Sequence, residues 1–297
     1  MIEYKLLKKT GINPKSFTKK KTATIINDKY VLKETTNNNQ IFSYLEARNF
    51  NHIPKSTTIS SKYTLYDYIK DYNIPKEERA IELINLISLL HNKTTRYNKT
   101  TLDDYKKIYE KYENKIEKLS NYYNDLNEII DREIYMSPSE YLLARNISKI
   151  YSTLNYCKNE LENWYELVKD EKKQRITLIH NNLELEHLIR NENSYLISWD
   201  KSKFANPIYD LYNFYKKNYD DIEFSSLLEQ YQNRYPLKET ELKLFFIMIS
   251  LPEKIDFEKK EYNNCLKVDK LLNYIYKTDT IISPYYPKNQ EKQQNNL

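Results

Sequence analysis

A single glycine, Gly11, serves all 297 residues. Glycine reaches left-handed backbone without steric cost and lets a main chain lie close against a phosphate. A chain with only one carries no glycine-rich phosphate cradle, no Walker-type loop and no dinucleotide fingerprint. Whatever this chain binds, it binds with side chains and with ordinary backbone.

The length suffices for one large core or two modest ones. Hydrophobic content of 40% and charged content of 30% fit a globular protein in water. The 30 tyrosines, with abundant Asn, Lys and Ile, read as the mark of an AT-rich coding bias. The net charge of +5 comes from 47 basic and 42 acidic residues, interspersed along the chain. The Lys19–Lys20–Lys21 run reads as a solvated face. Tyr and Lys together can stack on bases and meet phosphates. No nucleic-acid-binding motif accompanies them, so no nucleic-acid partner is expected.

Cys157 and Cys265 lie far apart and form no metal or redox motif, as in a reducing compartment. The N-terminal MIEYKLLKKTGINPK lacks an apolar signal region. The most apolar stretch, Leu242–Leu251, is too short to span a bilayer. These features predict a cytoplasmic protein with no membrane span.

Residues 1–74 mix helix and strand signals. Thr22–Ile26 and Lys29–Lys33 are β-rich runs separated by Asn27–Asp28, a hairpin turn. Asn37–Asn39 can cap a helix running to about Phe50. Ser60–Ile69 supplies one more strand and a connector. From Pro75 the chain turns helical. Ile81, Ile84, Leu86, Ile87, Leu89 and Leu90 mark a strongly apolar helix ending near His91. Leu102–Ile130 and Ser139–Val168 are long amphipathic helices in which heptads are not sustained. Residues 285–297 read as a disordered tail.

Within the helical half, Ile176–Leu211 switches character: ITLIHNNLELEHLIRNENSYLISWDKSKFANPIYDL. An apolar strand leads into a polar loop. A hairpin follows, His187–Ile189 and Tyr195–Trp199 flanking Asn191–Glu192–Asn193. Asp200 then stands just past the second strand, and helix resumes near Ile208.

Three elements in this stretch carry a resemblance: His180-Asn181-Asn182-Leu183-Glu184-Leu185-Glu186-His187, then Ile197-Ser198-Trp199-Asp200, then Asn206-Pro207-Ile208-Tyr209-Asp210-Leu211. They resemble the catalytic region of the aminoglycoside phosphotransferase and choline kinase superfamily, including its spore-coat-associated kinase-like branch. That signature runs His-x-Asp-x-x-x-x-Asn, a hairpin, Ile-Asp-Trp-Asp/Glu, and Pro-x-x-Asp-Leu. The order and spacing match. Tyr30-Val31-Leu32-Lys33 looks like the strand bearing the phosphate-binding lysine, with Glu46 as its partner on the helix 40–50. Leu83–His91 looks like the Leu-Leu-x-x-Leu-His helix that opens the C-terminal lobe.

The resemblance implies an α+β, bilobal protein-kinase-like fold. It implies a small β-rich N-lobe at 1–74, a helical C-lobe at 75–284, and a catalytic-loop-like segment at 178–200. It implies Lys33, Glu46 and His187 at a nucleotide, Asp200 at a metal, and His180 and Asn182 in the catalytic loop. ATP and Mg²⁺ are the cofactors it brings into question.

Two residue types depart from the signature. Asn182 stands where the catalytic Asp belongs, and an amide cannot accept a hydroxyl proton near neutral pH. His187 stands where a metal-binding Asn belongs, and Mg²⁺ prefers hard oxygen ligands. The expected function is therefore a kinase-like phosphotransferase-family protein with a degenerate site, a nucleotide-binding pseudokinase or scaffold that engages a partner through its helical lobe. An active small-molecule kinase is the alternative, with Glu184 or Glu186 supplying a carboxylate. A non-kinase helical interaction protein is the third reading. Each site residue also has a plainer role: His180 as a packing brace, Asn182 as a turn cap, His187 as a half-buried strand residue, Lys33, Glu46 and Asp200 as surface charges, and Asp210 as a hydrogen-bonding anchor for the loop.

Overall fold

The computed structural model describes residue 7 and residues 11–20, 23–34 and 39–286. Lys21, Thr22, Asn37, Asn38 and the tail beyond Tyr286, all singled out above, lie outside the described residues. The chain divides into two compact units. The first comprises 1–96, 176–214 and 230–235, and the second 97–175, 215–229 and 236–297.

Strands and helices in chain order are β1 (Phe17–Lys19), β2 (Thr24–Ile26), β3 (Tyr30–Glu34), α1 (Asn39–Ala47), β4 (Ser56–Thr58), β5 (Tyr63–Asp67), α2 (Lys76–Thr94), β6 (Arg96–Lys99), α3 (Leu102–Asp131) and α4 (Pro138–Val168). Then follow β7 (Lys173–Ile179), β8 (Leu188–Arg190), β9 (Ser194–Leu196), β10 (Lys203–Ala205), α5 (Ile208–Asn218), α6 (Phe224–Arg234), α7 (Glu239–Ser250) and α8 (Glu261–Ile282). The α+β class matches the sequence expectation, and no described helix is long and apolar enough to cross a membrane.

In the first unit, β1 to β5 form an antiparallel sheet in the order β1-β2-β3-β5-β4. The β2–β3 turn is made by Asn27 and Asp28, both at positive φ (54° and 51°). Without glycine the chain uses the side chains that tolerate left-handed backbone best. Asn27 stays there because its Oδ1 accepts from the Lys15 and Ser16 amides (2.7 and 3.0 Å) and its Nδ2 donates to the Asn13 carbonyl (2.9 Å). Alternation along the strands separates two faces. Ile26, Leu32 and Leu65 turn one way, into a buried cluster with Leu7. Ile25, Val31, Lys33 and Tyr66 turn the other way and line a cavity.

Helix α2 opens on a charged turn and is apolar through its middle, where Leu83, Ile84, Ile87 and Leu90 are fully buried. Its C-terminal turn is fastened by Thr94 and Thr95, whose hydroxyls donate to the Leu90 and His91 carbonyls (2.7 Å each). The Thr94 hydroxyl also accepts from the Leu178 amide (3.1 Å), fixing β7 against the helix end. The predicted hairpin is β8–β9, with Ile189 opposite Tyr195. It is tied down by the Leu196 amide on the His52 carbonyl (2.8 Å) and the Tyr72 amide on the Arg190 carbonyl (2.7 Å). The three-residue strands β1 and β4, which the sequence reading omitted, complete the sheet edges.

In the second unit, α3 and α4 each begin with a capping box, Thr101 with Asp104 and Ser137 with Glu140. They run antiparallel, since Tyr105 meets Trp164 (6.0 Å between ring centroids) and the Tyr151 hydroxyl reaches the Tyr123 carbonyl (3.4 Å). The buried stripe of α4, Ile150, Leu154, Cys157, Leu161, Trp164 and Val168, faces α3, α7 and α8. Three neighbours rather than one make this a packed bundle and not a coiled coil. Arg175 and Glu241 form a buried ion pair, and the same carboxylate accepts from the Lys238 amide (2.9 Å) where α7 begins.

Candidate functional site

The candidate site residues all belong to the first unit, and its loop is organised by one carboxylate. Asp210 sits in the first turn of α5 and is fully buried. Its Oδ2 accepts from the His180 amide (2.8 Å) and its Oδ1 from the Asn181 amide (2.6 Å). His91, from the end of α2, approaches Oδ2 with Nε2 (3.1 Å) and meets the Tyr231 hydroxyl with Nδ1 (2.7 Å). The last histidine of the Leu83–His91 segment is thus bound to the Asp of Pro207-Ile208-Tyr209-Asp210. Asn181, at φ 58°, turns the chain between them.

His180 is buried against Trp199, with ring centroids 4.9 Å apart. Its Nε2 donates to the Ile197 carbonyl (2.9 Å), which makes it a brace between the loop and the segment after β9. Burial holds its pKa below the ordinary histidine value, and the nearby Asp210 charge opposes this only in part. A histidine kept neutral by folding but protonated when unfolded costs stability as the pH falls below the unfolded pKa of about 6.5. The loss grows toward about 1.4 kcal/mol per pH unit and stops below the folded pKa. Denaturant unfolding between pH 7.5 and 5.5 is expected to show this slope in the wild type. His180→Gln, which cannot titrate, is expected to flatten it, and equal slopes in the two proteins would contradict the assignment.

Asn182 offers its backbone carbonyl to His187 Nδ1 (2.7 Å). Among the described residues Nε2 of His187 makes no hydrogen bond, and His187 lines the cavity. Neither Asn182 nor His180 lines it.

The cavity has a volume of about 290 Å³. Small-molecule sites typically span ~300–1,000 Å³. Ile25, Val31, Ile189 and Leu196 form its apolar walls, and Lys33 and Asp200 both border it. Burial lowers the Lys33 pKa, with the Asp200 charge pulling it back up. Burial raises the Tyr66 pKa, and Asp200 adds to the rise. Both shifts place Asp200 within electrostatic reach of the strand residues.

Glu46 is not part of this arrangement. It lies on the exposed side of α1, and the residue of α1 that lines the cavity is Phe42, edge-on to Tyr66 (6.3 Å, 87°). The helix turns Phe42 and Leu45 inward, and the charge that Lys33 senses is Asp200. The expected Lys33–Glu46 pairing gives way to Lys33 facing Asp200.

Ser198 is among the cavity residues that the sequence reading did not single out. Ser198, in left-handed backbone (φ 67°), occupies the second position of Ile197-Ser198-Trp199-Asp200, where the resembled signature carries an acid. A Mg²⁺ ion takes six oxygens in near-octahedral geometry. The cavity is lined by two acids, Asp67 and Asp200, with Ser198 and His187, and among the described residues no group of three His, Cys, Asp or Glu side chains is arranged to hold a metal. The side chains lining the cavity do not complete a Mg²⁺ shell by themselves.

No protein-family model and no curated protein matches the sequence. Solved structures do match in fold. An aminoglycoside phosphotransferase from Alicyclobacillus acidocaldarius superposes with a TM-score of 0.65 at 9% identity, over 91% of this chain and 90% of that one. An AMP-bound spectinomycin phosphotransferase superposes with a TM-score of 0.52 at 12% identity, over 90% of this chain and 94% of that one. The chain has a kinase-like fold, with a β-sheet N-terminal region and a mostly helical remainder.

Proposed function

We propose that this kinase-like protein is a pseudokinase that keeps a nucleotide site and has lost the means of catalysis. The observation that carries the reading is one cavity bordered by both Lys33 and Asp200, and Asn182 stands at the sequence position where the resembled signature carries its base. Lys33, His187 and the apolar walls are the nucleotide contacts in this reading, and Asp200 is the remnant of a metal position. The likeness to an AMP-bound phosphotransferase supports a nucleotide ligand. The lobes divide at 74–75, the protein works in the cytoplasm, and its helical surface engages a protein partner. The helical-scaffold alternative has no ligand at this cavity.

General-base assistance contributes ~10²–10⁴-fold to such reactions. The purified chain is expected to bind adenine nucleotides by calorimetry yet give no acceptor-dependent transfer from radiolabelled ATP to amino-sugars or small alcohols. Rapid transfer that Asp200→Ala abolishes would instead establish an active kinase.

A further inference from the structure

The geometry points to a metal-free ligand: a nucleoside di- or triphosphate whose phosphates are held by two lysines, Lys20 and Lys33. This rests on the nucleotide reading above and adds how the phosphates are neutralised. Lys20 belongs to the lysine run that the sequence assigned to a solvated face. It is exposed, yet it borders the cavity together with Ala23, Lys33 and Asp200. Its amide donates to the Ala23 carbonyl (2.8 Å), closing the connection between β1 and β2.

The sheet register gives the cavity a direction. Tyr30 pairs with Asp67 at one end of β3, and Lys33 pairs with Thr64 three residues further on. At about 3.4 Å per residue the two ends lie roughly 10 Å apart. Thr24 pairs with Leu32, so Ala23 and the Lys20 connection fall at the Lys33 end. Asp67, Tyr68 and Ile69 border the cavity from the other end. The apolar pair Ile25–Val31 lies between. A flat base fits the Tyr68–Ile69 end, and the span brings its distal phosphates to the lysine end.

The charges there suit an anion without a cation partner. Asp200 opposes Lys33, and among the described residues Lys20 makes no ion pair, so one ammonium remains uncommitted. A glycine-rich loop is not available in this chain, and among the described residues no group of three His, Cys, Asp or Glu side chains is placed to hold a metal by itself. Lysine ammoniums supply the neutralisation that loop amides and metal would otherwise provide.

The test is calorimetry of the full chain with ADP and with adenosine, each in EDTA and in Mg²⁺. ADP is expected to bind in EDTA with an affinity within about twofold of that in Mg²⁺. Lys20→Met is expected to weaken ADP about tenfold while leaving adenosine within about twofold, the effect of losing one charge-assisted contact. If adenosine binds but ADP requires Mg²⁺, or Lys20→Met leaves ADP unchanged, the lysine assignment fails and the nucleotide reading stands. If neither ligand binds, both fail.

Discussion

Asp210→Ala is expected to remove about 3–5 kcal/mol of stability, a large share of the ~5–15 kcal/mol that holds a protein folded. The carboxylate accepts from two backbone amides and faces His91, all in a buried setting. Alanine leaves these donors without their acceptor, and each orphaned buried donor costs about 1–3 kcal/mol. The guanidinium midpoint should fall sharply with the slope of the transition unchanged. Asp210→Asn keeps one carbonyl oxygen and should lose about half as much. An alanine variant within 1 kcal/mol of wild type would show that the loop does not depend on this anchor.

Trp199→Ala is expected to cost about 3–5 kcal/mol and to weaken nucleotide binding as well. Trp199 is only 2% exposed. It packs on Phe50 and His180 (centroids 6.2 and 4.9 Å), and its Nε1 donates to the Leu196 carbonyl (2.9 Å). It also forms part of the cavity wall between Ser198 and Asp200. Alanine opens a void, orphans that carbonyl and frees the segment that carries Asp200. Trp199→Phe keeps a ring and loses the hydrogen bond, so its cost should be smaller, about 1–3 kcal/mol. Trp164, the other tryptophan, stays buried in the second unit and keeps unfolding readable by fluorescence. Unchanged ADP affinity in a folded Trp199→Ala protein would separate this wall from the ligand.

The elements readable from sequence were those with strong side-chain periodicity. Helices α2, α3 and α4 and the β8–β9 hairpin fall within a few residues of their expected bounds, because burial imposes a period on apolar residues. Strands β1 and β4 had no such mark. Each has three residues, all exposed, and pairs along the main chain with one neighbouring strand. Backbone pairing at a sheet edge places no demand on side-chain type, so it leaves no pattern to read.

The site divides along the same line. Spacing within Ile176–Leu211 was enough to align the loop, the hairpin and the Asp210 helix, since the segment's local geometry follows its own sequence. That Lys33 does not pair with Glu46 was not recoverable in this way. It depended on the rotation of α1, which is set by where Phe42 and Leu45 find room to be buried. Lys20 was hidden for a related reason: a lysine in a basic run looks the same whether it faces solvent or borders a cavity, and only the sheet register decides.

What the chain's residues determined alone is therefore its inventory of elements and the chemistry each position can offer, including the amide at Asn182 and the near absence of glycine. Which groups meet was settled by tertiary structure. Charges brought together from distant segments attract or repel by distance and burial, and neither quantity is written in the local pattern of residues.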